Sequence, residues 1–174
     1  MKRTALLIAM TAFPAISFAA SLNTITFKGE VSDQTCQVTV NGNSGSPIVV
    51  LPTVPASALG TAGETAGETP FTIAVTGCTV PLADLNIKTT FLGANVNVGG
   101  NLGSTGTAQN VAIQLLDGAA GTPITLSGMT SVPGLILRTG ATSASHDFAA
   151  RYIATGASTS GTVSASAQYA LDYL

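Results

Sequence analysis

The chain has 174 residues, of which 45% are hydrophobic and only 8% are charged, and its formal net charge is −2. Six Lys and Arg residues are too few for the basic surface that nucleic-acid binding requires, and a single histidine, His146, excludes a multi-histidine metal site. The 19 Gly and 8 Pro, together with the scarcity of Glu, Lys and Arg, favour short strands joined by turns over a helix bundle. So little charge also indicates that much of the surface contacts other protein.

The first 19 residues have the pattern of a secretory signal peptide. The basic pair Lys2-Arg3 precedes an apolar run that ends in Ser17-Phe18-Ala19, with small residues at the two positions that signal peptidase reads. The run is shorter than the roughly 20 residues of a transmembrane helix, and Pro14 interrupts it. We therefore expect export and cleavage after Ala19, with cleavage after Ala20 as the alternative.

Export would place the two cysteines of this chain in an oxidising compartment. Cys36 and Cys78 are the only pair in the chain. In an oxidising compartment a disulfide between them is the expected state, and the alternative is two buried free thiols. A metal site would need more ligands than the sequence provides.

Apolar residues alternate with polar ones along most of the mature chain, which predicts strands with one buried and one wet face. Turn residues cluster at 41–45 and at 95–108, and 56–69 is predicted to be a loop that carries a tandem Ala-Gly-Glu-Thr. No segment has the pattern of an amphipathic helix of three turns. Many short strands at regular spacing predict an antiparallel β-sandwich. The predicted strands lie in 25–31, 38–40, 71–75, 85–91, 111–115, 124–126, 135–137, 148–154 and 161–174, and a short apolar run at 48–51 ends at Pro52.

The two ends of the mature chain have stricter patterns than chain ends usually do, since termini tend to fray. After Gly161, apolar residues take every second position, at Val163, Ala165, Ala167, Tyr169, Leu171 and Tyr173. Near the start, Ile25, Phe27, Gly29 and Val31 share one face. Ordinary first and last core strands would have the same periodicity, so the pattern alone leaves the role of both ends open.

These motifs together resemble the pilins of chaperone–usher fimbriae, close to the type 1 major-subunit family. The resemblance spans essentially the whole mature chain. It rests on residues 23–31 with their alternating glycine, on the Phe-x-x-x-Val-x-Gly-Cys motif at 71–78, on Phe-Ala-Ala-Arg-Tyr at 148–152, and on Gly161 fourteen residues from the end with Tyr173 penultimate.

The resemblance implies an all-β fold: an incomplete immunoglobulin-like β-sandwich of six strands that lacks the seventh. It also implies three regions, a signal peptide at 1–19, an N-terminal donor-strand extension at 20–31 and a pilin domain at 32–174. The missing strand would leave a hydrophobic groove beside an unpaired backbone edge.

The resemblance further implies the partners and the roles of individual residues. Ile25, Phe27 and Val31 would insert into the groove of a related subunit, and Gly29 would lie where that groove is too shallow for a side chain. The strand from Gly161 to Leu174 would bind a strand of a periplasmic chaperone. At an outer-membrane usher, the N-terminal extension of another subunit would then replace the chaperone strand. The expected product is an extracellular fimbria on the bacterial surface.

Enzymatic functions find no support in the residues. His146 follows two serines in what the sequence suggests is an exposed polar turn, and no paired-carboxylate or phosphate-binding motif is present. We expect no catalytic residues, cofactor or metal. Two alternatives to a major structural subunit stay open here: a minor or adaptor pilin of the same kind of fibre, and a standalone secreted carbohydrate-binding sandwich.

Overall fold

A computed structural model describes Val31, Gln34 and residues 36–174. The predicted signal peptide and nearly all of the predicted extension lie outside these residues. One short 3-10 helix, Ala56–Leu59, interrupts an otherwise all-β architecture. The strands are β1 (Gln37–Val40), β2 (Thr65–Thr76), β3 (Leu85–Gly93), β4 (Leu102–Gly103), β5 (Val111–Asp117), β6 (Thr122–Ile124), β7 (Met129–Leu137), β8 (Ala144–Ala154) and β9 (Ala167–Tyr173).

The strands form two antiparallel sheets. The larger has the order β1-β2-β8-β5-β4, with β6 paired to β5, and the smaller has the order β7-β3-β9. The predicted sandwich is therefore confirmed, although the described part of the chain has nine strands where six were expected. Six of these have seven or more residues, and the short β1, β4 and β6 all belong to the larger sheet.

The core is built on one fully buried aromatic residue, Phe148 of β8. Its ring stacks on Phe71 of the neighbouring β2 at 5.6 Å and meets Phe91 of the opposite sheet edge-on at 5.2 Å. Phe71 and Phe91 belong to alternating patterns seen in the sequence, because period-2 alternation directs every second side chain into the space between the sheets.

Two sequence interpretations are wrong. The predicted loop 56–69 ends early, because β2 begins at Thr65 and the second Ala-Gly-Glu-Thr copy lies within this strand, at an irregularity in its pairing with β8. A Cβ at Gly67 would collide with the ring of Tyr152. The glycine in this segment is therefore explained by the close approach of the Tyr152 side chain to the strand backbone, and not by a turn.

His146 is not in an exposed turn. It lies in β8, half-buried, with Nε2 2.6 Å from Asp117 Oδ1 and its ring 4.8 Å from that of Phe148. The serines and the aspartate around it are residue types that are common in turns. Ser145 and Asp147 are in fact the exposed positions of a strand whose alternate residues point inward.

The disulfide marks one end of the sandwich, which we call the disulfide end. Cys36 precedes β1, Cys78 follows β2, and the two are bonded. The start of β3 and the end of β9 also lie there, since Ile87 pairs with Tyr173 and packs in one cluster with Cys78. The opposite end, here the far end, contains the start of β9 and the loop 94–101 that follows β3.

We expect the Cys36→Ser/Cys78→Ser variant to lose about 4 kcal/mol of unfolding free energy, because the bond closes a 42-residue separation and holds the edge strand β1 against β2. Urea denaturation of the wild type and of the variant, each with and without reductant, measures this. Reductant should destabilise only the wild type. Equal stability of the oxidised wild type and the variant would contradict the expectation.

Candidate functional site: a groove beside the last strand

The last strand lies at a sheet edge with one side open. Among the described residues, β9 pairs only with β3. The carbonyl of Ser166 accepts from the Ala94 N–H at 3.0 Å, and the Leu174 N–H donates to the carbonyl of Asn86 at 3.0 Å. Even-numbered residues therefore direct their backbone groups to β3. By the alternation of an antiparallel ladder, those of Ala167, Tyr169 and Leu171 point to the open side.

The inward face of β9 is only partly covered. Thr89 and Phe91 of β3 are buried, whereas their cross-strand partners Leu171 and Tyr169 are half-buried although they point into the same interlayer space. The difference arises because β3 has strands on both sides and β9 has one. The groove beside β9 therefore exposes side chains that point into the space between the two sheets.

The segment before β9 continues this face. Residues 162–166 pair with the loop 104–108: the Thr105 N–H donates to the carbonyl of Ser164, and the Ala108 N–H to that of Thr162. The terminal strand predicted as one unit from 161 to 174 therefore has two parts, and only the second is β9. Half-buried inward side chains run through both parts, namely Val163, Ala165, Ala167, Tyr169, Leu171 and Tyr173.

Gly161 and Leu174 lie at the two ends of this face. A Cβ at Gly161 would collide with the backbone of Ala108, so close packing of two backbones accounts for the glycine. Leu174 follows β9 at the disulfide end and is exposed.

Residues that precede β2 also pack against the core that the inward face of β9 covers, which the sequence pattern does not predict. Val38 of β1 and, after the turn at 41–45, Val49 and Leu51 pack against the same core cluster as Tyr169 and Leu171. The extended segment 46–54 makes no backbone hydrogen bond to any other described residue. The short apolar run ending at Pro52 was visible in the sequence, but which face it covers depends on the sandwich.

A half-open apolar core flanked by unpaired backbone suits one kind of ligand, an extended chain with apolar residues at every second position. Such a chain adds a strand to the sheet, and its alternate side chains fill the pockets between the layers. Exposed edges of this kind otherwise favour aggregation. The inward side chains of β9 are those of Ala167, Tyr169, Leu171 and Tyr173.

Comparison with known proteins agrees with this geometry. A family model described as fimbrial protein matches residues 25–174. The chain belongs to the fimbrial protein family. It is 36% identical to the major fimbrial subunit SMF-1 of Stenotrophomonas maltophilia, over 94% of this chain and 99% of that protein. It is 34% identical to the minor fimbrial subunit HifD of Haemophilus influenzae, over 99% of this chain and 82% of that protein.

The fold is shared with solved structures. A chain in the structure of a chaperone–usher pilus superposes with a TM-score of 0.62 at 20% identity, covering 92% of this chain and all of the other. Members of the fimbrial family are structural subunits and not enzymes, and they are components of surface fimbriae. No helix within the described residues is long and apolar enough to cross a membrane.

Of the predicted donor residues, the structure describes Val31. Ile25, Phe27 and Gly29 lie outside the described residues. Val31 is described, and its relative exposure is 102%. This apolar side chain, five positions before Cys36, has no cover from the domain to which it belongs.

We expect Leu171→Asp to abolish binding of an apolar strand in the groove, because the carboxylate would be desolvated when the groove is filled. Gln168→Asp is the matched control, since Gln168 lies on the outer face of the same strand and is exposed. Titration of each variant with a synthetic peptide of residues 20–31, read by isothermal calorimetry, measures the effect. Equal affinities of the two variants would refute the groove as the binding site.

Proposed function

We propose that this protein is the major structural subunit of a chaperone–usher fimbria and that it polymerises head-to-tail by donor-strand exchange. Residues 20–31 of one subunit fill the groove of the next, and the resulting fibre serves adhesion at the bacterial surface. The observation that carries the proposal is the half-buried inward face of β9 beside a backbone edge that, at Ala167, Tyr169 and Leu171, has no partner strand among the described residues.

The extension has the composition that such a groove requires. Ile25, Phe27 and Val31 occupy alternate positions and would enter pockets between the sheets, with Gly29 where there is no room for a side chain. Burying three such side chains contributes on the order of 5–9 kcal/mol. Backbone hydrogen bonds to β9 add roughly 0.5–1.5 kcal/mol each. Lys28 and Glu30 alternate with the apolar residues and remain in water.

The geometry of donor and groove leads to a filament. The extension and the groove are different surfaces of one chain, so their contact is heterologous, and a heterologous contact that does not close into a ring produces an open chain of subunits. Each subunit then completes the core of its neighbour. The 8% of charged residues fits a protein whose surface is extensively buried in the fibre.

Before assembly the groove needs protection, since it is both apolar and edge-forming. We infer that residues 1–19 direct export, that a periplasmic chaperone supplies a strand to β9, and that an outer-membrane usher replaces it with the extension of another subunit. The terminal segment from Gly161 to Leu174 is the chaperone contact, and Leu174 at its end is exposed.

Similarity to HifD, a minor subunit, favours a second candidate, an adaptor of the same fibre. The two roles differ in copy number. We assign the major role because the chain covers 99% of the SMF-1 subunit at the higher identity. Quantitative mass spectrometry of purified fibres decides between them: a major subunit dominates the sample, and an adaptor is a trace component.

We expect Phe27→Asp to stop polymerisation and to leave chaperone binding intact, since a carboxylate cannot enter an apolar pocket whereas the subunit's own groove is unchanged. Lys28→Asp is the control, because this side chain faces solvent in the proposed donor strand. Electron microscopy of surface fibres and co-purification with the chaperone measure the two properties. Normal fibres from Phe27→Asp would refute the donor role.

We also expect the mature chain trimmed to begin at Glu30 to be unstable alone and to be stabilised by the 20–31 peptide, because the peptide restores the missing strand. Thermal unfolding with and without peptide measures this, and the Phe27→Asp peptide should have no effect. A trimmed chain that is a heat-resistant monomer without peptide would favour a standalone sandwich and contradict the proposal.

A further inference from the structure

Two large apolar side chains project fully into solvent at opposite ends of the sandwich. Leu82, at the disulfide end, has a relative exposure of 101%, and Val98, at the far end, has 112%. A single exposed apolar residue needs no explanation. These two are notable because each occupies the tip of a loop whose base is fixed.

Leu82 is held by contacts on both sides of its loop. The disulfide fixes Cys78, and Asp84 accepts from the Thr139 N–H at 2.8 Å and from Arg138 Nη1 at 2.7 Å. The Thr139 N–H, followed by the Arg138 guanidinium, lowers the pKa of Asp84, because both contacts favour the ionised carboxylate. The loop therefore presents Leu82 in a defined position.

Val98 is presented in the same manner. The side-chain oxygen of Asn97 accepts from the N–H groups of Gly99 and Asn101, both at 3.0 Å, and the Asn97 N–H donates to the carbonyl of Asn101 at 2.9 Å. These bonds close a tight turn around Val98 and leave its side chain outside. Immobilising such a residue before contact reduces the entropy lost on association.

Chain direction brings the two ends together in the proposed fibre. Every strand pair in the two sheets is antiparallel, and β9 runs from the far end to the disulfide end. A donor strand that continues this pattern runs the opposite way and reaches the far end of the acceptor at Val31. Five peptide units separate Val31 from Cys36, which is about 17 Å when extended. Cys36 is bonded to Cys78, four residues before Leu82.

We propose that successive subunits make a second, apolar contact. In this contact the Leu82 loop of the subunit that donates the extension packs on the Val98 loop of the subunit that accepts it. The partner is therefore a second copy of this chain, and the inference rests on the proposed function. The inserted strand and this loop contact are two points of attachment, and together they fix the angle between neighbouring subunits. The inserted strand alone, joined to its domain by the short connection from Val31 to Cys36, would leave that angle variable.

Cross-linking tests the contact in assembled fibres. Fibres of the full chain carrying Leu82→Cys and Val98→Cys are oxidised, boiled in detergent and run on a non-reducing gel. We expect a covalent ladder containing most of the protein, where wild-type fibres give monomer. Leu82→Cys with Ile48→Cys is the matched control, because Ile48 is also exposed but belongs to the extended segment beside the groove. A ladder no stronger than that of the control overturns the inference.

A second pair of variants avoids the added thiols. Leu82→Lys with Val98→Glu should form an amide cross-link with a zero-length carbodiimide, and Leu82→Lys with Val98→Lys should not. Failure of this inference and failure of the proposed function are distinguishable. Fibres that form but give no cross-link from either pair overturn the loop contact alone, whereas wild-type protein that forms no fibres overturns both.

Discussion

The structure depends on the open side of β9. This strand of the smaller sheet pairs on one side only among the described strands, and its inward apolar side chains are only half-buried. The rest of the domain keeps this strand in place: β3 pairs with it along its whole length, and the Phe71, Phe91 and Phe148 cluster joins the two sheets beneath it. The domain is thus ordered enough to present a groove while its core remains incomplete.

This incompleteness links stability to assembly. A protein's net stability is a small difference between large terms, so a missing strand's worth of burial is decisive. In the assembly that we propose, a neighbour supplies that strand, and the free energy of completing the core becomes free energy of polymerisation. The disulfide between Cys36 and Cys78 has a complementary role, because it secures the edge strand β1 and the point from which the extension leaves the domain.

Much of the fold follows from local rules. Alternation places Phe71 and Phe91 in the interior, and the cysteine pair Cys36 and Cys78 forms the expected bond. The errors also have local causes. The strand around His146 has a polar outer face and the strand β2 contains Gly67, and both compositions also occur in turns and loops. The packing of Val49 and Leu51 on the same core cluster as β9 depends on contacts distant in sequence, which periodicity cannot specify.

The alternation of residue types is enough to predict which side chains share a face, that the chain is built of strands, and that residues 161–173 are amphipathic. Alternation does not distinguish a central last strand from one at an edge, because the pattern is the same in both cases. The distinction comes from the folded domain, in which β9 pairs with β3 alone among the described strands and its inward face is partly exposed. Burial depends on how many strands flank a residue, and that number is a property of the assembled sheets.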